Sequence, residues 1–124
     1  MRNYTKIDAW RFADDLTVSV YEATRTFPRE ELYGITSQLR RASSSVPANI
    51  AEGSARATKR DYLHFLHIAR GSLTETQYFI HLSKRLGYLE ESLVSKLRQQ
   101  TTSVFACLHG LIRAVEKESV VSGP

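Results

Sequence analysis

The sequence predicts an all-α protein, an antiparallel up-down-up-down four-helix bundle in which residues 1–124 form one domain. Three observations predict it. Apolar residues recur at spacings of three and four in four separate stretches. The links between those stretches are short, which favours antiparallel neighbours. No stretch alternates polar and apolar residues as a half-buried strand would. The helices are expected at about 6–27, 32–56, 59–86 and 90–117.

The first helix follows a short polar arm. Thr5 and Asp8 have the spacing of a capping box, so the start is placed there. Ala9, Ala13, Leu16, Val20, Ala23, Thr24 and Phe27 make one stripe. Trp10, Val18 and Tyr21 fall off it, which suggests contact with more than one neighbour. Pro28 ends the helix because it pushes residue 27 out of the α region.

The second helix holds the densest run of special residues, QLRRASSSVPANIAEGSAR from Gln38 to Arg56. Leu39, Ala42, Val46, Asn49, Ile50 and Gly53 share a face of mostly small, apolar residues. Pro47 lacks the backbone donor and clashes with the preceding turn, typically at a cost of about 3 kcal/mol. A kink near Val46 is expected, or a break with Ser45 capping a new segment. Gln38, Arg41, Asn49, Glu52 and Glu75 are expected to form a structural polar network that fixes helix register; a binding or catalytic site is the other reading of the same residues. Glu75 is offered as a partner for Arg40 or Arg41, and Glu52 for Arg56 four residues on.

Thr58 and Asp61 cap the third helix, and Gly87 suits its left-handed end. Its length is roughly 40 Å at 1.5 Å per residue. Tyr62, Phe65, Leu66, Ala69, Leu73 and Ile80 make one stripe, while Ile68, Phe79, Leu82 and Leu86 make a second. The second stripe reads as a subunit interface, or as a surface packed on the first helix. Gly71 is expected to allow a close crossing opposite Ala48, Ala51 and Gly53. The fourth helix starts near Glu90 or Glu91 and carries a heptad-like seam of Leu93, Leu97, Thr101, Val104, Leu108, Leu111 and Val115. Residues 118–124 read as a frayed tail.

The run from Phe27 to Arg56, FPREELYGITSQLRRASSSVPANIAEGSAR, closely resembles the signature of the S23, or 23S-rRNA intervening-sequence, protein family. The resemblance continues through FLHIARGSLTET (Phe65–Thr76), RLGYL (Arg85–Leu89) and the stretch around Trp10. Ser43-Ser44 departs from the pattern, where a more apolar pair is expected. The resemblance implies a four-helix bundle and a ring-like homo-oligomer, typically a pentamer with a central channel. It also implies relatives that engage nucleic acid and a reverse transcriptase as accessory proteins.

The chemistry open to the chain is narrow. A di-iron carboxylate bundle needs Glu-x-x-His pairs. The residues three before His64, His67, His81 and His109 are Asp61, His64, Tyr78 and Ala106, so none is present. There is no phosphate-binding glycine loop, Cys-x-x-Cys or Gly-x-Ser-x-Gly motif. Cys107 is the single cysteine and reads as a packed thiol in a reducing cytoplasm. Neither a signal-peptide core nor a membrane span is found in the sequence. No cofactor, metal or enzymatic activity is expected.

The net charge of +4 favours an anionic partner. The expected function is that of a non-enzymatic oligomer binding RNA or DNA through Arg40, Arg41, Arg56, Lys59 and Arg60, without sequence specificity. The alternative is a protein-interaction scaffold in which those residues are structural or solvated.

Overall fold

The computed structural model describes residues 2–118, so of the expected tail, residues 118–124, all but Glu118 lies outside the described residues. Four α-helices carry the chain: α1 Asp8–Thr24, α2 Ile35–Ser54, α3 Lys59–Arg85 and α4 Glu91–Glu116. Short 3-10 turns at Tyr4–Lys6 and Arg29–Glu31 precede α1 and α2. Among the described residues there is no strand. Each helix packs on its two neighbours in sequence around a closed square, with α1 also against α4. Cross-helix contacts fix the directions. Thr17 meets Ser43 and Thr24 meets Arg40, Ser45 meets Ser72, and Lys59 meets Glu116. Two contacts along each of three pairs run in opposite order on the two helices: Thr17–Ser43 with Thr24–Arg40, Ser45–Ser72 with Gly53 against Tyr62 and Phe65, and Lys59–Glu116 with Lys84–Glu91. Those helices therefore run antiparallel.

The start of α1 differs from the capping-box expectation. Asn3 accepts from the Thr5 amide and caps the 3-10 turn, and α1 begins at Asp8 without a side-chain cap. At the other end, Thr24 donates to the Val20 carbonyl and the chain turns at Phe27. The α1 stripe is otherwise the one the periodicity gives: Ala9, Ala13, Leu16, Val20, Ala23, Thr24 and Phe27 are all buried.

The helix α2 runs unbroken through Pro47, and no new segment starts at Ser45. Proline at 47 leaves the Ser43 carbonyl without its intrahelical donor. Thr17 of α1 supplies one: its hydroxyl donates to the Ser43 carbonyl at 3.0 Å. The same hydroxyl lies 3.0 Å from the Ala13 carbonyl of its own helix. Ser43, which breaks the family pattern, is fully buried, and its hydroxyl donates to the Arg40 carbonyl. The serine is therefore accommodated by satisfying its hydroxyl locally.

The helices α2 and α3 cross closely at Gly53, not at Gly71. A methyl group at Gly53 would lie 2.9 Å from Phe65 Cβ and 3.0 Å from Tyr62 Cδ1, whereas one at Gly71 would meet nothing within 4 Å. At about 100° per residue Gly71 falls on the opposite side of α3 from the buried stripe, so it is exposed, whereas Gly53 lies on the inner face of α2. Thr58 caps α3 by accepting from the Asp61 amide at 3.1 Å. At the far end, Gly87 has φ +77°. Its amide donates to the Lys84 carbonyl and the Tyr88 amide to the Ser83 carbonyl. These two bonds form a Schellman motif. In α4 the buried seam is Val94, Leu97, Thr101, Val104, Leu108, Ile112 and Val115. Leu93 and Leu111, expected in that seam, are only half-buried, because the inner face is rotated by one residue at each end.

No described helix is long and apolar enough to cross a membrane.

Candidate functional site

The five expected basic residues lie in two groups. Arg40 and Arg41 sit on the first half of α2, Arg56 just beyond its end, and Lys59 and Arg60 on the first turn of α3. At 1.5 Å per residue, Arg41 and Arg56 are roughly 20 Å apart along the axis.

At the end where α2 and α4 finish, most of the charge is matched. Arg56 pairs with Glu52 at 2.8 Å and lies over the Phe65 ring at 4.6 Å. Lys59 donates to the Glu116 and Glu118 carbonyls at 2.6 and 3.1 Å, complementing the negative end of the α4 dipole. Arg60 is exposed, and no ion-pair partner is found for it among the described residues. Arg2, which the sequence did not single out, joins this end. It donates to the Ser54 and Arg56 carbonyls, reaches the Glu118 carboxylate at 3.5 Å and covers the Tyr62 ring at 4.3 Å. Burial pushes the Tyr62 phenol above its ordinary range, with Arg2 opposing and Glu118 adding. No local motif marks Arg2, because its partners lie more than fifty residues away.

The other group is built differently. Arg40 is half-buried; its Nε donates to Thr24 Oγ1 at 2.8 Å, and its guanidinium lies 4.7 Å over the Tyr21 ring. Nη2 also reaches the Tyr21 carbonyl at 3.4 Å. Arg41 is exposed, and no ion-pair partner is found for it among the described residues.

The expected polar network does not assemble within the chain. Gln38, Arg41, Glu52 and Glu75 are all exposed, and Glu75 pairs with neither Arg40 nor Arg41. These groups lie around the outside of α2 and α3, while the inner positions go to apolar and small residues. The polar contact that does bridge α2 and α3 is smaller. Ser45 and Ser72 hydroxyls are 2.9 Å apart, and Asn49 Nδ2 donates to the Ser45 carbonyl and hydroxyl. Asn49 is thus the member of the expected network that acts structurally, through its own helix.

The remaining candidates for chemistry are placed as follows. Cys107 is half-buried against the core. His64 and His67 are exposed on α3, and His67 Nδ1 is 3.1 Å from Arg70 Nη2. Among the described residues no three His, Cys, Asp or Glu side chains gather where a metal ion could be held.

The comparisons with known proteins agree with this architecture. One solved structure, a protein with unknown function from the S23 ribosomal protein family of Bacteroides thetaiotaomicron VPI-5482, superposes with a TM-score of 0.78 at 21% identity. The match covers 85% of this chain and 95% of that one, and at this identity it shows the fold. No similar protein is found among the curated proteins. The family described as 23S rRNA-intervening sequence protein matches residues 5–110, most of the chain, and the protein belongs to that family.

Proposed function

We propose that this chain is a non-enzymatic, self-associating helical bundle that acts as an interaction scaffold. The observation that carries the reading is the outer stripe of α3. Ile68, Phe79, Leu82 and Leu86 share one face about 110° from the buried stripe. Ile68 and Leu86 remain 39% and 48% exposed, and Phe79 and Leu82 are only half covered. Phe79 and Leu82 pack in part against the core, but the α1 and α3 backbones do not approach closely, so the rest of the stripe is left uncovered by α1. Tyr33, at 91% exposure beside Leu32 at 48%, adds an uncovered aromatic in the link between α1 and α2. Apolar residues aligned on one face mark association surfaces more often than the same residues scattered. The occupant is a second copy, in a ring whose stoichiometry is five in the form the family resemblance implies. Sedimentation of the wild type and of an Ile68→Glu/Leu86→Glu variant tests this.

A second reading, nucleic-acid binding, is favoured by the exposed Arg41 and Arg60 and by the family description, which refers to 23S rRNA. Arg56 is engaged locally at an exposed position and Lys59 at a half-buried one, and both bonds lie where phosphate could compete. Fluorescence anisotropy with labelled RNA and duplex DNA tests it. Binding should weaken with salt, with a log–log slope of about 0.7–0.9 per phosphate contacted. Unchanged binding by Arg56→Ala/Lys59→Ala/Arg60→Ala would reject a site at this end.

A further inference from the structure

A groove of about 420 Å³ opens beside the N-terminal half of α2, lined by Tyr21, Leu32, Thr36, Ser37, Arg40 and Arg41, with Ser44 at its edge. Its volume falls in the range of small-molecule sites. It contains two guanidinium groups and no carboxylate among its lining residues. Arg40 is pre-positioned: Thr24, the Tyr21 carbonyl and the Tyr21 ring hold it, while no acceptor is found for Nη1 among the described residues. Arg41, one residue on, has no ion-pair partner among the described residues, so its donors are open to a ligand.

A separate observation points to a ligand. Thr36 is only 4% exposed and lines the groove, and no hydrogen-bond partner is found for its buried hydroxyl among the described residues. Buried hydroxyls are rarely left in that state, because the desolvation of an unpaired group is unfavourable. Thr36 and Ser37 also stand in the first turn of α2, where amides have no intrahelical acceptor. The Ser37 and Ser44 hydroxyls are used differently, donating to the Gly34 and Arg41 carbonyls. Glu31 accepts from the Ile35 amide and from Tyr88 Oη, so it caps the neighbouring position without lining the groove.

We propose that this groove binds a phosphate-bearing ligand, with the phosphate between Arg40 and Arg41 over Thr36 and the rest of the ligand against Tyr21 and Leu32. Two guanidinium forks can share the several oxygens of one phosphate, whereas a carboxylate offers only two. First-turn amides add donors suited to the same anion. This goes beyond self-association and does not depend on it.

The test is calorimetric titration of the full chain with inorganic phosphate, adenosine monophosphate and a short single-stranded RNA, each against Arg41→Ala and Thr36→Val. Both variants should melt no lower than the wild type, since one replaced side chain is exposed and the other hydroxyl is unpaired. Arg41→Ala should weaken whichever probe binds by about tenfold or more, and Thr36→Val by a smaller factor. Binding of the mononucleotide assigns a free phosphate ester; binding by RNA alone assigns a backbone phosphate. Either result supports the proposal. No binding of any probe at millimolar concentration, or binding that survives Arg41→Ala, overturns it.

Discussion

Alanine at Gly53 and alanine at Gly71 should move stability in opposite directions. Both glycines lie within helices, so removing either relieves backbone entropy, worth up to about 1 kcal/mol in a helix interior. At Gly71 nothing lies within 4 Å of the new methyl group, so that gain should appear almost intact. At Gly53 the methyl would lie 2.9 Å from Phe65 Cβ, 3.0 Å from Tyr62 Cδ1 and 3.3 Å from the Tyr62 carbonyl. Phe65 Cβ and the carbonyl cannot swing aside, and Tyr62 is 1% exposed, so its ring has no room to move outward. The helices must separate, and overpacking of this kind typically costs about 1–3 kcal/mol. The expected result is a net loss of about 1–2 kcal/mol for Gly53→Ala and a gain of about 0.5–1 for Gly71→Ala. At about 4 °C per kcal/mol for a chain of this size, the two variants should melt several degrees apart, on opposite sides of the wild type. Parallel thermal and urea melts read this directly. Equal stabilisation by both would refute a close α2–α3 approach at Gly53.

Three further outcomes are expected. Thr17→Val should cost about 1–3 kcal/mol in urea melts, because it orphans the Ser43 carbonyl that Pro47 has freed. In a Pro47→Ala background, which restores the intrahelical donor, the cost should shrink, and an unchanged cost in that double-mutant cycle would reject the Thr17–Ser43–Pro47 arrangement. Glu52→Ala should change stability by no more than about 1 kcal/mol, since the Glu52–Arg56 pair is exposed; a loss several times larger would restore the buried-network reading. Stability should fall as pH rises past 10.0, where the unfolded Tyr62 loses its proton before the folded one does. Tyr62→Phe should flatten that alkaline limb, and an identical pH profile would show that Tyr62 is not its source.

The sequence was most informative where structure follows local spacing. The α1 stripe from Ala9 to Phe27, the Thr58 cap and the Gly87 terminus depend on residues within one or two turns of each other. It was least informative where a residue's partner is distant. Arg40 is held by Thr24, Ser43 by Thr17 and Arg2 by the end of α2, and no spacing rule links those pairs. The aromatic rings against Arg40, Arg56 and Arg2 come from other segments, so no interleaving of basic and aromatic residues announced them. The basic candidates illustrate the same limit. Their types were visible, but the division into a matched end and an open groove depends on which face of α2 each one takes. Thr36 gave no signal at all, because an unpaired hydroxyl can be recognised only when the atoms around it are known.

Self-association through the outer stripe of α3 is the central claim, and sedimentation equilibrium tests it most directly. The wild type at tens of micromolar should form a closed species well above one subunit, with a mass near five chains. Ile68→Glu/Leu86→Glu replaces two side chains that are substantially exposed in the single chain, so it should stay folded while sedimenting as a monomer. A monomeric wild type, or an oligomer unaffected by the two glutamates, would contradict the account.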